Sequence, residues 1–359
     1  QLLPELNIGG VERGTKDFSK VLVERGHDSL VISNGGIFEK DIIEDGGKHI
    51  NLPIHKKSLF SIRYASDLRD IYLSEKPDII HVRSRMPAWI NYFAYKKLSH
   101  KPLLVSTFHG LYSTPLYSQV MSKVDHIIAI SKTVKDYIQG TYNVPNEKIT
   151  VIPRGCDPEI FNKNPVEETW IKKWYEEFPQ TQDKIILTMP TRISKWKGVD
   201  SFIDLVNLLE DDNYHALIVG PTAKSKKSYL KQLQNKISNY GIEDKITITG
   251  SRNDISNIYK ISDFIFNLSI KPEPFGRTTI EAISSGSKVL GWNHGGTKEI
   301  LEELYPDGLV ELNNIEDLAE KVINLSNMTN NMPKENIFTS ESMTNQTISL
   351  YQDLLAKRL

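Results

Sequence analysis

Two glutamates stand eight positions apart in EPFGRTTIE (273–281), and Phe275, Gly276, Arg277 and Thr278 fill the first part of the gap. The apolar run FIFNLS (264–269) precedes them and KVLGWN (288–293) follows, so the stretch reads as strand, turn, then helix. The free N–H groups of a helix's first turn suit an anion. Glu273 falls before that turn and Glu281 inside the helix, so the two carboxylates straddle an anion instead of sharing it. Carboxylates accept from hydroxyl donors and repel phosphate. Upstream, TRISKWKG (191–198) follows the apolar run KIILTMPT (184–191) and offers Arg192, a planar fork, and Lys197, a point charge, ahead of Gly198. Cations in the middle and acceptors on either side fit a ligand whose diphosphate lies between two sets of hydroxyls. A helix-capping glutamate, an exposed one and a solvated loop would be the plainer reading, but it accounts for neither Gly276 nor the matching cations.

Other candidates also follow apolar runs. NIGGVERGT (7–15) comes after QLLPE (1–5), and its Gly9 and Gly10 permit close backbone approach to a ligand at the start of a helix. A tight turn without ligand explains the same pair, and the glycines do not form G-x-G-x-x-G. His109-Gly110 closes LLVSTFHG (103–110), where a structural histidine is the alternative. Arg83 and Arg85 follow DIIHV (78–82), which favours them over the exposed lysines as contacts for a second substrate, and Glu12 and Arg13 beside the Gly9-Gly10 turn join them. Arg252 lies in Ser251-Arg252-Asn253 after KITITG (245–250). No His/Cys spacing of a metal site is present, and Asp211-Asp212 sits in a polar turn.

These residues require a scaffold that ends strand after strand beside one ligand. In 1–155 the candidate strands are QLLPE, DSLVISN, KHINLPI, DIIHVRS, LLVSTFH, HIIAIS and ITVIPRG, with helical segments over 12–25, 62–75, 87–98 and 132–140. From 184 on, KIILTMPT, HALIVG, KITITG, FIFNLS, KVLGWN and GLVEL alternate with helices over 198–210, 225–240, 253–262, 276–285, 297–304 and 315–327. Such alternation predicts α/β architecture with parallel sheets covered on both faces. The expected organisation is an N-terminal Rossmann-like domain over 1–163, a second over 164–339, and a helix over 340–359 that packs back toward the first. The Pro- and Asn-rich 156–165 would be the linker. Two doubly wound domains predict a cleft between them, with ligands at the carboxyl ends of the strands.

Composition narrows the classes. With 39% apolar and 25% charged residues the 359-residue chain has a globular balance, and a net charge of −1 gives no nucleic-acid signature. Residues 1–165 carry 22 Lys+Arg against 18 Asp+Glu, and the remainder 22 against 27, a mild basic bias in the first half. One cysteine, Cys156, excludes an internal disulfide and points to a reducing compartment. No apolar run is long enough for a membrane span, no leader is expected, and the native start is expected a few residues upstream of Gln1.

GGVERG, STFHG, IIAIS (127–131), IPRGCDPEIF (152–161), TRISKWKG at an R-x4-K-G position and EPFGRTTIEA with its E-x7-E spacing together resemble the retaining family-4 glycosyltransferases of the GT-B fold over nearly the whole chain. GGVERGT and HVRSRMPAW (81–89) resemble a bacterial subset that assembles lipopolysaccharide or other envelope glycans. The resemblance implies a metal-independent, hexosyltransferase-type enzyme with no cofactor and a nucleotide-diphosphate sugar as donor. Glu273 would hold the sugar, with His109 beside it. Arg192 and Lys197 would neutralise the departing diphosphate, Arg252, Phe275, Gly276, Arg277 and Thr278 would line the donor, and Glu281 would bind ribose. Gly9 and Gly10 would lie near the phosphates. Thr191 replaces the usual glycine before the arginine, and KPEP (271–274) replaces the commoner serine-containing turn. The acceptor would be a glycan, lipid-linked or lipopolysaccharide-type molecule on the first domain. A cytoplasmic location, with peripheral association at the inner face of the cytoplasmic membrane, would suit it, though ordinary surface charge explains the same lysines. The competing readings are a GT-B sugar-nucleotide epimerase, a non-catalytic nucleotide-sugar-binding protein, and a nicotinamide-dependent dehydrogenase, which the first glycine turn opposes.

Overall fold

The computed structural model describes residues 1–7 and 9–358; Ile8 of the first glycine turn and Leu359 lie outside them. The chain forms two compact units, 1–153 with 341–359 and 154–340.

In the first unit the strands are β1 (Leu30–Ser33), β2 (Lys48–Asn51), β3 (Ile79–Val82), β4 (Leu103–Phe108), β5 (His126–Ala129) and β6 (Ile149–Val151). All their pairings are parallel. QLLPE does not form a full strand. Instead residues 1–3 bridge β1 and β3: Leu2 N–H donates to His81 O, Arg83 N–H to Leu2 O and Ile32 N–H to Gln1 O, each at 2.9 Å. Pro4 cannot donate to a ladder, which ends this pairing early. The resulting order is β2, β1, residues 1–3, β3, β4, β5, β6. Strand β4 is buried at all six positions, as its unbroken apolar run requires. Ile348 and Tyr351 of the helix Ser340–Ala356 complete this unit's core against Phe18, Leu103, Val105 and Ile128.

The second unit contains β7 (Ile185–Pro190), β8 (Tyr214–Val219), β9 (Ile246–Gly250), β10 (Phe264–Asn267), β11 (Lys288–Trp292) and β12 (Leu309–Val310). Its parallel sheet runs β12-β11-β10-β7-β8-β9, the order of a doubly wound nucleotide-binding sheet whose switch point lies between its first and fourth strands, here β7 and β10. GLVEL yields only the two residues of β12. A helix not read from the sequence, Glu168–Glu177, covers this unit through Trp174, which stacks on Trp170 and packs against Phe178. Residues 156–165 also belong to this unit: buried Phe161 lies against Tyr259, and Cys156 pairs with Thr339. Among the described residues no helix is long and apolar enough to cross a membrane.

Candidate active site

The second unit gathers the sequence-predicted residues at its switch point. The turn after β7 carries Arg192 and Lys197, and the turn after β10 carries Glu273 to Gly276 and leads into the helix that starts with Arg277 and Thr278. Gly198 locks these turns together. Its φ of +79° is left-handed, and a Cβ there would lie 1.9 Å from the Leu268 carbonyl oxygen, so only glycine fits. The N–H of Ile270 donates to Trp196 O at 2.9 Å across the same junction.

This junction brings Lys197 onto Glu273. The Lys197 ammonium donates to Glu273 Oε1 and lies 4.2 Å from the centre of the Trp196 ring. Ser269 Oγ donates to the same Oε1 at 2.5 Å. Among the described residues nothing hydrogen-bonds Glu273 Oε2, although the residue is only 8% exposed. The backbone is held from the turn after β11. Gly296 N–H donates to Glu273 O at 2.7 Å, and His294 Nε2–H donates to Ser269 O at 2.7 Å. Arg192 is exposed and takes part in no ion pair among the described residues.

The helix Arg277–Ser284 begins at Gly276, whose φ of +99° turns the chain sharply into it. The Phe275 side chain is buried edge-on to Phe338, so its backbone is fixed. Asn267 Nδ2 donates to the hydroxyls of Thr278 and Thr279 at 3.4 and 3.2 Å and ties the helix start to β10. Four residues into the helix, buried Glu281 receives Arg277 Nη2 at 2.8 Å and faces the Tyr259 hydroxyl at 3.5 Å. Burial, then the Glu281 charge, holds the Tyr259 phenol well above its usual pKa, so it stays a neutral donor. Arg252 stands apart at the β9 side. Its guanidinium is bound to Asp254 and Glu177 at 2.8 and 2.9 Å, and the hydrogen bonding it donates to Asp254 leads the effects that raise its pKa.

In the first unit His109 follows β4, half-buried, and its N–H reaches the Tyr112 hydroxyl at 3.4 Å. Gly9 precedes the helix Gly10–Glu24 in extended conformation, and the flexible Glu12 carboxylate folds back over it. Arg13 N–H donates to Gly9 O, while its side chain is exposed. Arg83 is buried, donates from Nε to Gln1 Oε1 at 2.9 Å and lies over the Phe18 ring. Arg85 donates to Thr114 and Ser118 and covers the Tyr112 and Tyr117 rings. Both arginines are thus engaged within their own unit. Sequence pattern does not single out Ser269, His294, Gly296 or Tyr259. The Gly295-Gly296 pair after the run KVLGWN is a legible signal for one of them; His294 and Tyr259 act on residues more than twenty positions away, and Ser269 is one serine in a polar turn. Among the described residues no three His, Cys, Asp or Glu side chains cluster as metal ligands would.

A family model described as Glycosyltransferase Family 4 matches residues 8–160, and one described as Glycosyl transferases group 1 matches 171–340. A glycosyltransferase crystal structure from Rickettsia africae ESF-5 is 30% identical, with 99% of this chain and 98% of that one covered at a TM-score of 0.84. Anabaena HepE, crystallised with UDP and glucose, superposes over 98% of both chains with a TM-score of 0.78 at 20% identity. N-acetyl-alpha-D-glucosaminyl L-malate synthase of Bacillus anthracis is 24% identical over 97% of this chain and 95% of its own length. Both halves of the chain therefore have their counterpart in one architecture, and the chain belongs to the family-4 glycosyltransferases of the GT-B fold.

Proposed function

We propose that this chain transfers a sugar from a nucleotide-diphosphate donor to an acceptor hydroxyl, with retention at the anomeric carbon and without a metal ion. The observation that carries the reading is the convergence of Lys197 and Glu273 at the β7/β10 switch point, beside a helix that starts in left-handed backbone. Glu273 is held through one oxygen, and its Oε2 remains available to accept from a sugar hydroxyl. A diphosphate arriving at the helix start offers the Lys197 ammonium a stronger partner, with Arg192 as the second cation. Glu281, oriented by Arg277, accepts from the ribose hydroxyls.

In the reaction the bond from the anomeric carbon to the phosphate oxygen breaks as the acceptor oxygen bonds on the same face. The leaving phosphate takes the acceptor proton. Charge growing on the diphosphate meets the two cations and the N–H groups that open the helix, which stabilise it most where water is excluded. The family resemblance assigns His109 to the sugar and Gly9-Gly10 to the phosphates. Arg83, Arg85, Glu12 and Arg13 belong to the acceptor side, with Arg83 and Arg85 acting through the segments they brace. The likeness to HepE, which was crystallised with UDP and glucose, favours a UDP-sugar. The resemblance to envelope-glycan enzymes favours a lipid-linked or lipopolysaccharide-type acceptor at the cytoplasmic face of a membrane.

Steady-state transfer assays test this. Lys197→Ala and Glu273→Ala should each lower kcat by about a hundredfold, the usual loss when one transition-state-stabilising group is removed, with the circular dichroism spectrum unchanged. Wild-type turnover in both variants would end the assignment.

A further inference from the structure

We propose that the first unit carries a phosphoryl-anion site formed by Lys96, Lys101 and Lys123 around Tyr92 and Tyr95, at the opposite ends of its strands from His109, Arg83 and Arg85. The three exposed lysines line a surface pocket of about 200 Å³ with Val82, Leu104 and Val120 among its apolar walls. Lys96 Nζ lies 4.4 Å and Lys123 Nζ 5.3 Å from the centre of the Tyr92 ring, and Lys101 Nζ lies 5.7 Å from that of Tyr95. Two ammonium groups thus share one aromatic ring. Among the described residues none of the three pairs with a carboxylate. The acid of this region, Asp125, is already taken: its Oδ2 accepts Leu104 N–H and Arg358 Nη2, each at 2.9 Å. A like-charged cluster with no acid of its own calls for an anion from outside.

Chemistry and size narrow that anion. Lysines are point charges that serve phosphate without demanding a planar partner. The pocket is smaller than the roughly 300–1,000 Å³ of small-molecule pockets, so it suits a single phosphoryl group and excludes a whole nucleotide sugar. Position separates it from the proposed active site. Lys101 precedes β4 and Lys123 precedes β5, at the amino ends of these strands, whereas His109, Arg83 and Arg85 follow carboxyl ends. Lys96 caps the helix Arg85–Tyr95, and the helix dipole accounts for a cation there. It does not account for the other two. The same helix carries Trp89 stacked on Phe93, which is 36% exposed, an apolar shoulder beside the cations. A free phosphate and the headgroup of an anionic lipid present the same oxygens to these lysines, and the experiment separates the two sources.

That experiment uses the full chain and two arms. One measures the rise in Tm caused by inorganic phosphate; the other measures cosedimentation with phosphatidylglycerol-containing vesicles against pure phosphatidylcholine vesicles. Each is run on wild type, on K96Q/K101Q/K123Q, and on K148Q/K172Q/K173Q, which removes the same charge elsewhere. The first variant should lose phosphate stabilisation or vesicle binding and the second should keep it. At roughly fivefold per lysine near an anionic surface, the vesicle loss should be on the order of a hundredfold. Response to phosphate alone identifies a free-anion site, and response to vesicles alone a headgroup site. Equal behaviour of both variants, or no response of the wild type in either arm, overturns the proposal.

Discussion

Glu273 is bound by Lys197 and Ser269 through one oxygen while its backbone hangs from Gly296 and, through Ser269, from His294. Ser269 and His294 are therefore positioning residues that act through Glu273. Ser269→Ala and His294→Ala should each lower kcat by about tenfold, the worth of one good hydrogen bond to a charged or fixed group, and leave the donor KM within about twofold. A rise in KM at constant kcat would show instead that they serve ground-state binding. Glu281→Gln should do the reverse, raising the donor KM by about tenfold or more with a smaller effect on kcat, since the charge-assisted bond proposed to the ribose would be lost; titration with donor checks it. Glu273, Lys197 and Glu281 are legible in the sequence because residue type, spacing and a following glycine coincide. Ser269 and His294 are not, because a lone serine in a polar turn carries no distinctive signal and His294 acts through the Ser269 carbonyl of another turn.

At the scale of elements, the junction of the turns after β7 and β10 depends on Gly198. Gly198→Ala should destabilise the chain by about 3 kcal/mol, since both the left-handed backbone and the Leu268 carbonyl oppose a Cβ. Denaturant unfolding measures it, and a loss below about 0.5 kcal/mol would contradict the packing described. His215 on β8 offers a pH test. It is 3% exposed, hydrogen-bonds Thr247 on β9, and burial, then Lys184, lowers its pKa to about 4. The folded state thus keeps the ring neutral while the unfolded chain takes up a proton near pH 6.5. Its stabilising contribution is complete above that pH and declines by up to about 3 kcal/mol as the pH falls from 6.5 to about 4. His215→Gln should flatten the fall in Tm over that window; an unchanged slope would remove His215 as a cause. The strands of both sheets can be read from unbroken apolar runs. The helix Glu168–Glu177 cannot, because its signal is carried by Trp170, Trp174 and Phe178 amid charges, and β12 is short because only two residues reach the ladder.

At the scale of the molecule, the alternation of strands and helices announces two doubly wound units, but their make-up depends on contacts far apart in sequence. The last helix belongs with the first unit, where Tyr351 meets His81 Nδ1 at 2.5 Å and Ile348 joins the core. Ile348→Ala should therefore cost about 2–4 kcal/mol, read as an earlier transition in the hydrogen exchange of β4 and β5; loss of protection confined to the second unit would contradict this. The proposed function rests on the other unit, where the donor's diphosphate is assigned to the β7/β10 switch point. A crystal structure with a bound UDP-, GDP- or ADP-sugar tests that assignment most directly. Phosphate oxygens should lie within hydrogen-bond distance of Lys197 Nζ and the N–H groups that open the helix Arg277–Ser284, with a sugar hydroxyl on Glu273 Oε2. A diphosphate seated elsewhere, with the Lys197–Glu273 bond intact and the switch point vacant, would contradict it.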